Sequence, residues 1–80
     1  MPKKFWVYEV IHGVPEGYRN DAAVRLVGRW YSRYLTCEEV AILLVAWNEQ
    51  NTPPLTRSEI KSIYNYTKKW RIPYPGEYDE

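Results

Sequence analysis

Apolar residues recur at helical spacing in three separate stretches of the chain. The first and third stretches each place their apolar residues on one face of an α-helix, at intervals of three and four residues. The middle stretch, VAILLVAW, is apolar on nearly every side, so we expect its helix to be the central, most buried one. The pattern predicts an all-α fold, a small three-helix bundle with helices at about 20–34, 37–50 and 57–70. The first stripe consists of Ala23, Leu26, Val27, Trp30, Tyr31 and Tyr34, and the third of Ile60, Ile63, Tyr64, Thr67 and Trp70 or Arg71.

Polar residues mark where these helices begin and end. Thr36 and Thr56 are each followed three residues later by a glutamate, the pattern of a capping box at a helix start. Asn20 or Asp21 can cap the first helix by accepting from the amides of its first turn. The third helix is predicted to end before Pro73, because proline disfavours helical geometry in the residue that precedes it.

The helical pattern divides the chain into three parts. Residues 1–12 form a short N-terminal extension, in which FWVYEVI at 5–11 suits either a strand or a helical turn. Residues 13–72 form the helical domain itself. Residues 73–80 are acidic, carry a Pro-Gly turn signal and show no periodicity, so they are predicted to be a flexible tail.

Composition excludes several classes of protein. One cysteine rules out an intrachain disulfide, and a single histidine leaves no ligand set for zinc. The longest apolar run, residues 40–47, is far shorter than the roughly 20 residues that span a bilayer. The N-terminus lacks the apolar core and cleavage site of a signal peptide. These features predict a soluble cytoplasmic protein with no membrane contact.

The formal net charge of +1 conceals an uneven distribution of charge. Four arginines against one aspartate give the first helix +3, and three glutamates give the second helix −3. Five basic residues against one glutamate give the third helix +4. Two basic helices therefore flank an acidic one along the sequence.

No set of residues predicts catalysis. Cys37 lies at a helix start, where the dipole can lower a thiol pKa, but a small apolar residue in a first turn is the simpler interpretation. His12 has no partner in the sequence that would make it a base. The pair Glu38 and Glu39 is explained by helix capping and the helix dipole. We therefore expect no enzyme activity, no cofactor and no metal site.

A nucleic-acid interface has more support. Basic residues four positions apart form strips that match a phosphate backbone, and nearby aromatic rings can stack on unpaired bases. The alternative is that these strips are only the solvated exterior that any small bundle needs. The predicted phosphate contacts are Arg19, Asn20, Arg25, Arg29, Arg33, Lys61 and Lys68, and the predicted stacking residues are Tyr18, Tyr66 and Trp70.

Two short motifs resemble a known family. GVPEGYRN at 13–20 contains the pattern EG-x-RN, and WNEQNTPPL at 47–55 contains WN-x-x-N-x-PPL. In this order, about thirty residues apart and separated by an amphipathic helix, they resemble the primase C-terminal helical domain of phage and plasmid replication primases. The resemblance covers about residues 10–68.

The resemblance implies a non-catalytic accessory domain that assists primer initiation. Its implied partners are single-stranded template DNA, possibly a nucleotide, and the primase catalytic domain or a helicase. No carboxylate pattern for two-metal nucleotidyl transfer occurs in the sequence, which suggests an excised domain or a stand-alone accessory copy. Arg19 remains open between a phosphate contact at a helix start and a structural pairing with an acid such as Glu16.

Other interpretations concern the scaffold and the partners. Trp47 is expected in the core, and Asn48 and Asn51 are expected to satisfy backbone groups of the proline bend. A protein-docking module of a phage or plasmid replisome is the main alternative function. A helix-turn-helix regulator is a weaker one, because the loop between the second and third helices is longer than usual. The docking alternative depends on exposed aromatic residues at the two ends of the chain, namely Trp6, Tyr8, Tyr74 and Tyr78.

Overall fold

The computed structural model describes residues 10–73 and 75–76, and these residues form a three-helix bundle. Helix α1 spans Arg19–Ser32, α2 spans Cys37–Asn48 and α3 spans Arg57–Thr67. Short 3-10 turns at Glu16–Tyr18 and Lys68–Trp70 precede α1 and follow α3. The all-α fold and its three helices are confirmed, with α1 and α2 each ending two residues earlier than predicted.

Both predicted capping boxes are present. The amide of Glu39 donates to Thr36 Oγ1 at 3.1 Å, and the amide of Thr36 donates to Glu39 Oε1 at 2.8 Å. Thr56 and Glu59 make the same pair of bonds at 3.1 and 2.8 Å. Each box satisfies two backbone donors that a helix start would otherwise leave without a partner.

The start of α1 differs from the prediction, because neither Asn20 nor Asp21 caps it. The helix begins one residue earlier, at Arg19, and Tyr18 at its N-cap position makes no side-chain capping bond. The reason is that the 3-10 turn, closed by a bond from the Tyr18 amide to the Pro15 carbonyl at 3.0 Å, runs directly into α1. Asp21 still lies in the first turn, where its negative charge suits the helix dipole.

The core lies where the three helices meet, and each helix packs against the other two. Helix α1 contributes half of the buried apolar side chains, and Leu55, in the bend before α3, is also buried. Trp47 is 2% exposed, as expected of a core residue. The core consists of Ala22, Ala23, Leu26, Val27, Tyr31, Val40, Leu44, Trp47, Leu55 and Ile63.

The prediction that α2 is the central, most buried helix is wrong. Its buried apolar residues are Val40, Leu44 and Trp47, whereas Ile42 is 65% exposed and Val45 is 51% exposed. Three packed helices have no central member, because each one contacts its two neighbours along one side only. Because α2 has apolar residues on nearly every side, some of them are left on the surface.

Both ends of the chain lie largely outside the described residues. Of the segment at 5–11, only Val10 and Ile11 are described, and both are helical. Of the predicted tail at 73–80, the structure describes residues 73, 75 and 76. The aromatic residues on which the docking alternative depends (Trp6, Tyr8, Tyr74 and Tyr78) fall outside the described part.

Candidate nucleic-acid interface

The two sequence motifs lie against each other in the folded chain. The amide of Val14 donates to Asn51 Oδ1 at 2.8 Å, which joins residues 37 positions apart. Pro15 and Thr52 form an isolated parallel bridge next to this bond. The loop before α1 and the loop after α2 therefore make one double loop, which we define as residues 12–18 together with residues 49–55.

Arg19 holds the double loop closed from the start of α1. Its Nη1 donates to the carbonyl oxygens of Pro53 at 2.7 Å and Pro54 at 2.8 Å, and its Nε donates to the carbonyl of Glu16 at 3.2 Å. Its Nη2 lies 3.8 Å from a carboxylate oxygen of Glu16, and the Arg19 side chain is only 13% exposed. The two prolines offer carbonyl acceptors but no N–H donors, and the guanidinium supplies donors to both carbonyls. The phosphate contact predicted for Arg19 stays a prediction.

Asn48 fixes the other side of the double loop. Its Oδ1 accepts from the Leu55 amide at 2.8 Å and its Nδ2 donates to the Leu55 carbonyl at 2.9 Å. Asn51 Nδ2 also donates to Asn48 Oδ1, at 3.3 Å. The Asn48 side chain thus satisfies both the backbone amide and the backbone carbonyl of Leu55. This agrees with the expectation that both asparagines belong to the scaffold.

Gly13 permits the closest approach within the double loop. Its φ is +100°, and a Cβ at this position would lie 2.4 Å from the Gln50 carbonyl oxygen. Side chains of α2 and the turn after it also reach the segment before Gly13. Trp47 Nε1 donates to the Val10 carbonyl at 2.7 Å, and Gln50 Nε2 donates to the Ile11 carbonyl at 3.2 Å. Any larger residue at position 13 would push the two loops apart.

A groove between α1 and α3 contains two of the residues predicted from the sequence. It has a volume of about 230 Å³ and is lined by Asn20 and Val24 from α1 and by Ser62, Ile63 and Tyr66 from α3. Its rim offers amide and hydroxyl groups beside an aromatic ring that is 60% exposed. Such a lining can hold the flat face and polar edge of an unpaired base.

Tyr66 is part of an aromatic and cationic cluster at the end of this groove. The ammonium of Lys69 lies 4.5 Å from the centre of the Tyr66 ring. The Trp70 ring meets Tyr66 edge to face, with 5.9 Å between ring centres. Trp70 itself packs against the core, whereas Tyr18, near the start of α1, is 65% exposed. The stacking roles of all three aromatic residues stay predictions.

The double loop and the helices on either side of it correspond to a known family. The family model described as Primase C terminal 1 (PriCT-1) matches residues 7–68, well over half of the chain. The chain belongs to the Primase C terminal 1 family. The resemblance inferred from the two motifs is confirmed. No curated protein and no solved structure matches the chain significantly.

The basic strips of this Primase C terminal 1 domain lie outside the groove. Arg25, Arg29 and Arg33 are exposed but do not line the groove. Successive residues of a helix point about 100° apart, so these arginines point away from the side of α1 that carries Asn20 and Val24. Lys61 and Lys68 are likewise exposed and absent from its lining. Their phosphate contacts, and the convergence of both strips on one bound strand, stay predictions.

The groups considered for catalysis have ordinary structural surroundings. The Cys37 thiol donates to the Lys68 carbonyl at 3.7 Å and packs against the core. His12 lines an open cavity of about 260 Å³ beside the double loop. Within residues 10–73 and 75–76, no three histidine, cysteine or acidic side chains cluster closely enough to hold a metal ion.

None of the helices that the structure describes combines the length and apolarity needed to cross a bilayer.

Two ionisable groups of the domain have shifted pKa values with clear causes. Burial raises the pKa of the Tyr31 hydroxyl well above its usual range, with the neighbouring Cys37 acting in the same direction. The hydrogen bond from the Thr56 amide lowers the pKa of Glu59 below 4.5, and the bond with the Thr56 side chain adds to the shift. Both shifts come from folding and capping, so neither points to a catalytic acid or base.

Sequence reasoning did not place Lys69 beside Tyr66. It follows Tyr66 by three positions, and residues three apart on a helix are neighbours, so this spacing was the available signal. The contact between the loop before α1 and the loop after α2 was also not predicted. The paired motifs indicated a family but not that Arg19 and the prolines are in direct contact.

Proposed function

We propose that this chain is the non-catalytic accessory domain of a replication primase and that it assists primer initiation by binding single-stranded template DNA. Membership of the Primase C terminal 1 family supports the link to a primase. The binding role depends on one local observation, the exposed Tyr66 ring beside the Lys69 ammonium at the α1–α3 groove. A base stacked on Tyr66 would bring its phosphate near this cation.

Exposed cations on the same helices, outside the groove, add to this proposal. Arg29 on α1 and Lys68 after α3 are exposed, whereas the acidic residues Glu38 and Glu39 lie in the first turn of α2. A strand held at the groove would reach these cations by continuing beyond it, along helices that also carry the exposed acidic residues Asp21 and Glu59. Phosphate contacts that release counterions give affinity that falls with salt, with a log-log slope of about −0.7 per phosphate for single strands. We assign these contacts to Arg25, Arg29, Arg33, Lys61, Lys68 and Lys69.

Asn20 and Arg19 take different parts in this proposal. Asn20 lines the groove, so its side-chain amide can bond a base edge or a sugar. Arg19 already donates to three carbonyl oxygens, and we assign it to holding the double loop that positions the start of α1. A nucleotide can use the same stacking surface, because a stacking contact requires only the flat face of a base.

A titration of a fluorescent single-stranded oligonucleotide, followed by anisotropy over a salt series, tests the proposal. Tyr66→Ala is expected to weaken binding by about 1–3 kcal/mol through lost stacking. Lys69→Gln is expected to weaken binding and to reduce the salt slope by about 0.7. Both residues are exposed, so neither variant is expected to disturb the fold.

Arg57→Gln is the matched control. It removes one positive charge from α3, the helix that carries Tyr66, but Arg57 lines a different cavity, between α2 and α3. Binding by this variant should be close to that of the unmodified chain. The proposal fails if the oligonucleotide does not bind at low salt, or if Arg57→Gln weakens binding as much as Lys69→Gln. Repeating the titration with a nucleotide in place of DNA separates the two ligands.

A protein-docking role is the second candidate function. The observation that favours it is the exposure of large apolar residues on α2, a helix that the sequence led us to expect in the core. Docking by α2 and DNA binding by the α1–α3 side involve different surfaces and are compatible.

A further inference from the structure

The outward side of α2 is an apolar strip. Ile42 is 65% exposed, Val45 is 51% exposed and Leu43 is 39% exposed, and Ala46 beside them is exposed as well. Residues 42, 45 and 46 stand at i, i+3 and i+4, so they share one side of the helix. We call these four residues the α2 outer face.

A cavity extends this face toward α3. It has a volume of about 250 Å³ and is lined by Val45, Asn48, Glu49, Arg57 and Ile60. An apolar helix surface with a depression beside it is a form of surface that can receive an amphipathic helix. An apolar side chain from such a helix can enter the depression beside Val45 and Ile60.

Carboxylates lie at both ends of the α2 outer face. Glu38 and Glu49 are exposed, and with Ile42 and Val45 they follow the spacing i, i+4, i+7 and i+11. They therefore lie on the same strip as the apolar residues. Glu39 is adjacent, but its carboxylate already accepts from the Thr36 amide at 2.8 Å.

This arrangement of charge disfavours a second copy of the chain as the occupant. An antiparallel α2–α2 pair would place Glu38 of one copy beside Glu49 of the other, and a parallel pair would place each glutamate beside its own counterpart. Both arrangements bring like charges together in an apolar contact, which costs affinity. The complementary partner carries cations at both ends of an apolar strip.

We propose that the α2 outer face docks an amphipathic helix from another domain or protein, with an apolar stripe that is bounded at both ends by lysine or arginine. The partner helix lies along α2, and its apolar residues cover Ile42 and Val45. Its cations pair with Glu38 and Glu49. This interaction does not depend on the DNA-binding proposal, because its main contacts are the apolar and acidic residues of α2; α3 contributes only the adjoining cavity beside Ile60.

Two synthetic helical peptides of equal length probe this surface. One has an amphipathic pattern of leucine and lysine, and the other has glutamate in place of every lysine. With the ¹⁵N-labelled chain, the lysine peptide is expected to shift the amide signals of α2, centred on Ile42, Val45 and Glu49. The glutamate peptide is expected to leave those signals unchanged at the same concentration.

Surface variants test whether the apolar residues and the glutamates of α2 both contribute to the affinity for the lysine peptide. Ile42→Gln is expected to weaken binding of the lysine peptide about tenfold. The double variant Glu38→Gln/Glu49→Gln is expected to weaken it and to remove most of its salt dependence. Arg57→Gln removes a cation from the adjoining cavity and is expected to leave the affinity equal or higher. Circular dichroism confirms that each variant keeps its helices.

Several outcomes would overturn the proposal. Peptide-induced shifts confined to α1 and α3, or equal binding of the glutamate peptide, would show that α2 does not select a basic helix. Concentration-dependent dimerisation of the chain in sedimentation, abolished by Ile42→Gln, would identify a second copy as the occupant instead. The DNA-binding proposal is tested separately, because Ile42→Gln is expected to leave oligonucleotide binding unchanged.

Discussion

Helices α1 and α2 have similar lengths but use their apolar residues differently. Helix α1 buries Leu26, Val27 and Tyr31 and exposes no large apolar side chain. Helix α2 has the more apolar sequence, yet Ile42 and Val45 lie mostly in solvent. The helix with fewer apolar residues thus supplies more of the core.

The difference teaches that apolar content alone does not predict burial in a chain of 80 residues. In a larger protein, further layers would cover a helix that is apolar on all sides. Among the residues that the structure describes, α2 packs against two helices, and the remaining apolar side of α2 faces outward. The contrast also divides the proposed functions, with nucleic acid at the α1–α3 groove and a protein partner on the apolar, acidic side of α2.

Truncating one large side chain on each helix gives the largest test of this contrast. Leu26→Ala is expected to lower the free energy of unfolding by about 2–5 kcal/mol, because it opens a cavity at a fully buried position. Ile42→Ala should change it by less than about 0.5 kcal/mol, since the side chain is largely in solvent. Urea denaturation followed by tryptophan fluorescence measures both. Equal losses would contradict the observed exposure of α2.

Asn48→Ala tests the one strongly polar residue that α2 buries. The variant leaves the amide and carbonyl of Leu55 without their side-chain partner, so we expect a loss of about 2–3 kcal/mol. Gln50→Ala is the control, because it removes a single bond at an exposed position and should cost about 0.5 kcal/mol. Similar midpoints for the two variants in urea would show that Asn48 does not hold the bend.

Gly13→Ala tests the contact that joins the end of α2 to the chain before α1. The variant combines a positive φ with a Cβ placed 2.4 Å from the Gln50 carbonyl oxygen, and we expect a loss of about 1–3 kcal/mol. Gly17→Ala has open space within 4 Å, so its thermal midpoint should stay unchanged or rise slightly. A midpoint for Gly13→Ala that matched that of Gly17→Ala would rule out the close approach of the loops.

Tyr31→Phe concerns a buried polar group on α1, for comparison with Asn48 on α2. Among the described residues, the Tyr31 hydroxyl is the buried side-chain polar atom with no close hydrogen bond, and the weakly polar Cys37 thiol is its neighbour. Its removal is expected to raise the free energy of unfolding by about 1 kcal/mol, since the cost of desolvating the hydroxyl disappears. A lower free energy for this variant in urea would reveal a partner of the hydroxyl that matters to stability.

Glu59 offers a smaller effect, which depends on pH. Capping by Thr56 lowers its pKa below 4.5, so its stabilisation is present above that pH and is lost as the pH falls through the folded-state value. Glu59→Gln keeps a capping acceptor but cannot titrate. The stability difference between the unmodified chain and this variant should shrink between about pH 5 and pH 3. A constant difference across a series of urea melts would contradict the capping assignment.

Local sequence determined much of the fold. Threonine followed three residues later by glutamate is enough to begin α2 and α3, because the four hydrogen-bonding atoms come from one turn. Helical spacing identified the buried stripe of α1 except for Tyr34, which lies beyond the helix end and is 39% exposed, and the two motifs identified the family. Each of these signals involves residues that interact over a short distance or a fixed order along the chain.

Only the tertiary structure decided which apolar residues are covered and which loops touch. The exposure of Ile42 depends on how many neighbours α2 has, and the role of Arg19 depends on carbonyl groups 34 and 35 positions away. Tyr66 and Asn20 share a groove because α1 and α3 pack side by side. Such contacts join segments that are distant in sequence, and the packing of whole helices, rather than local backbone preference, sets which segments meet.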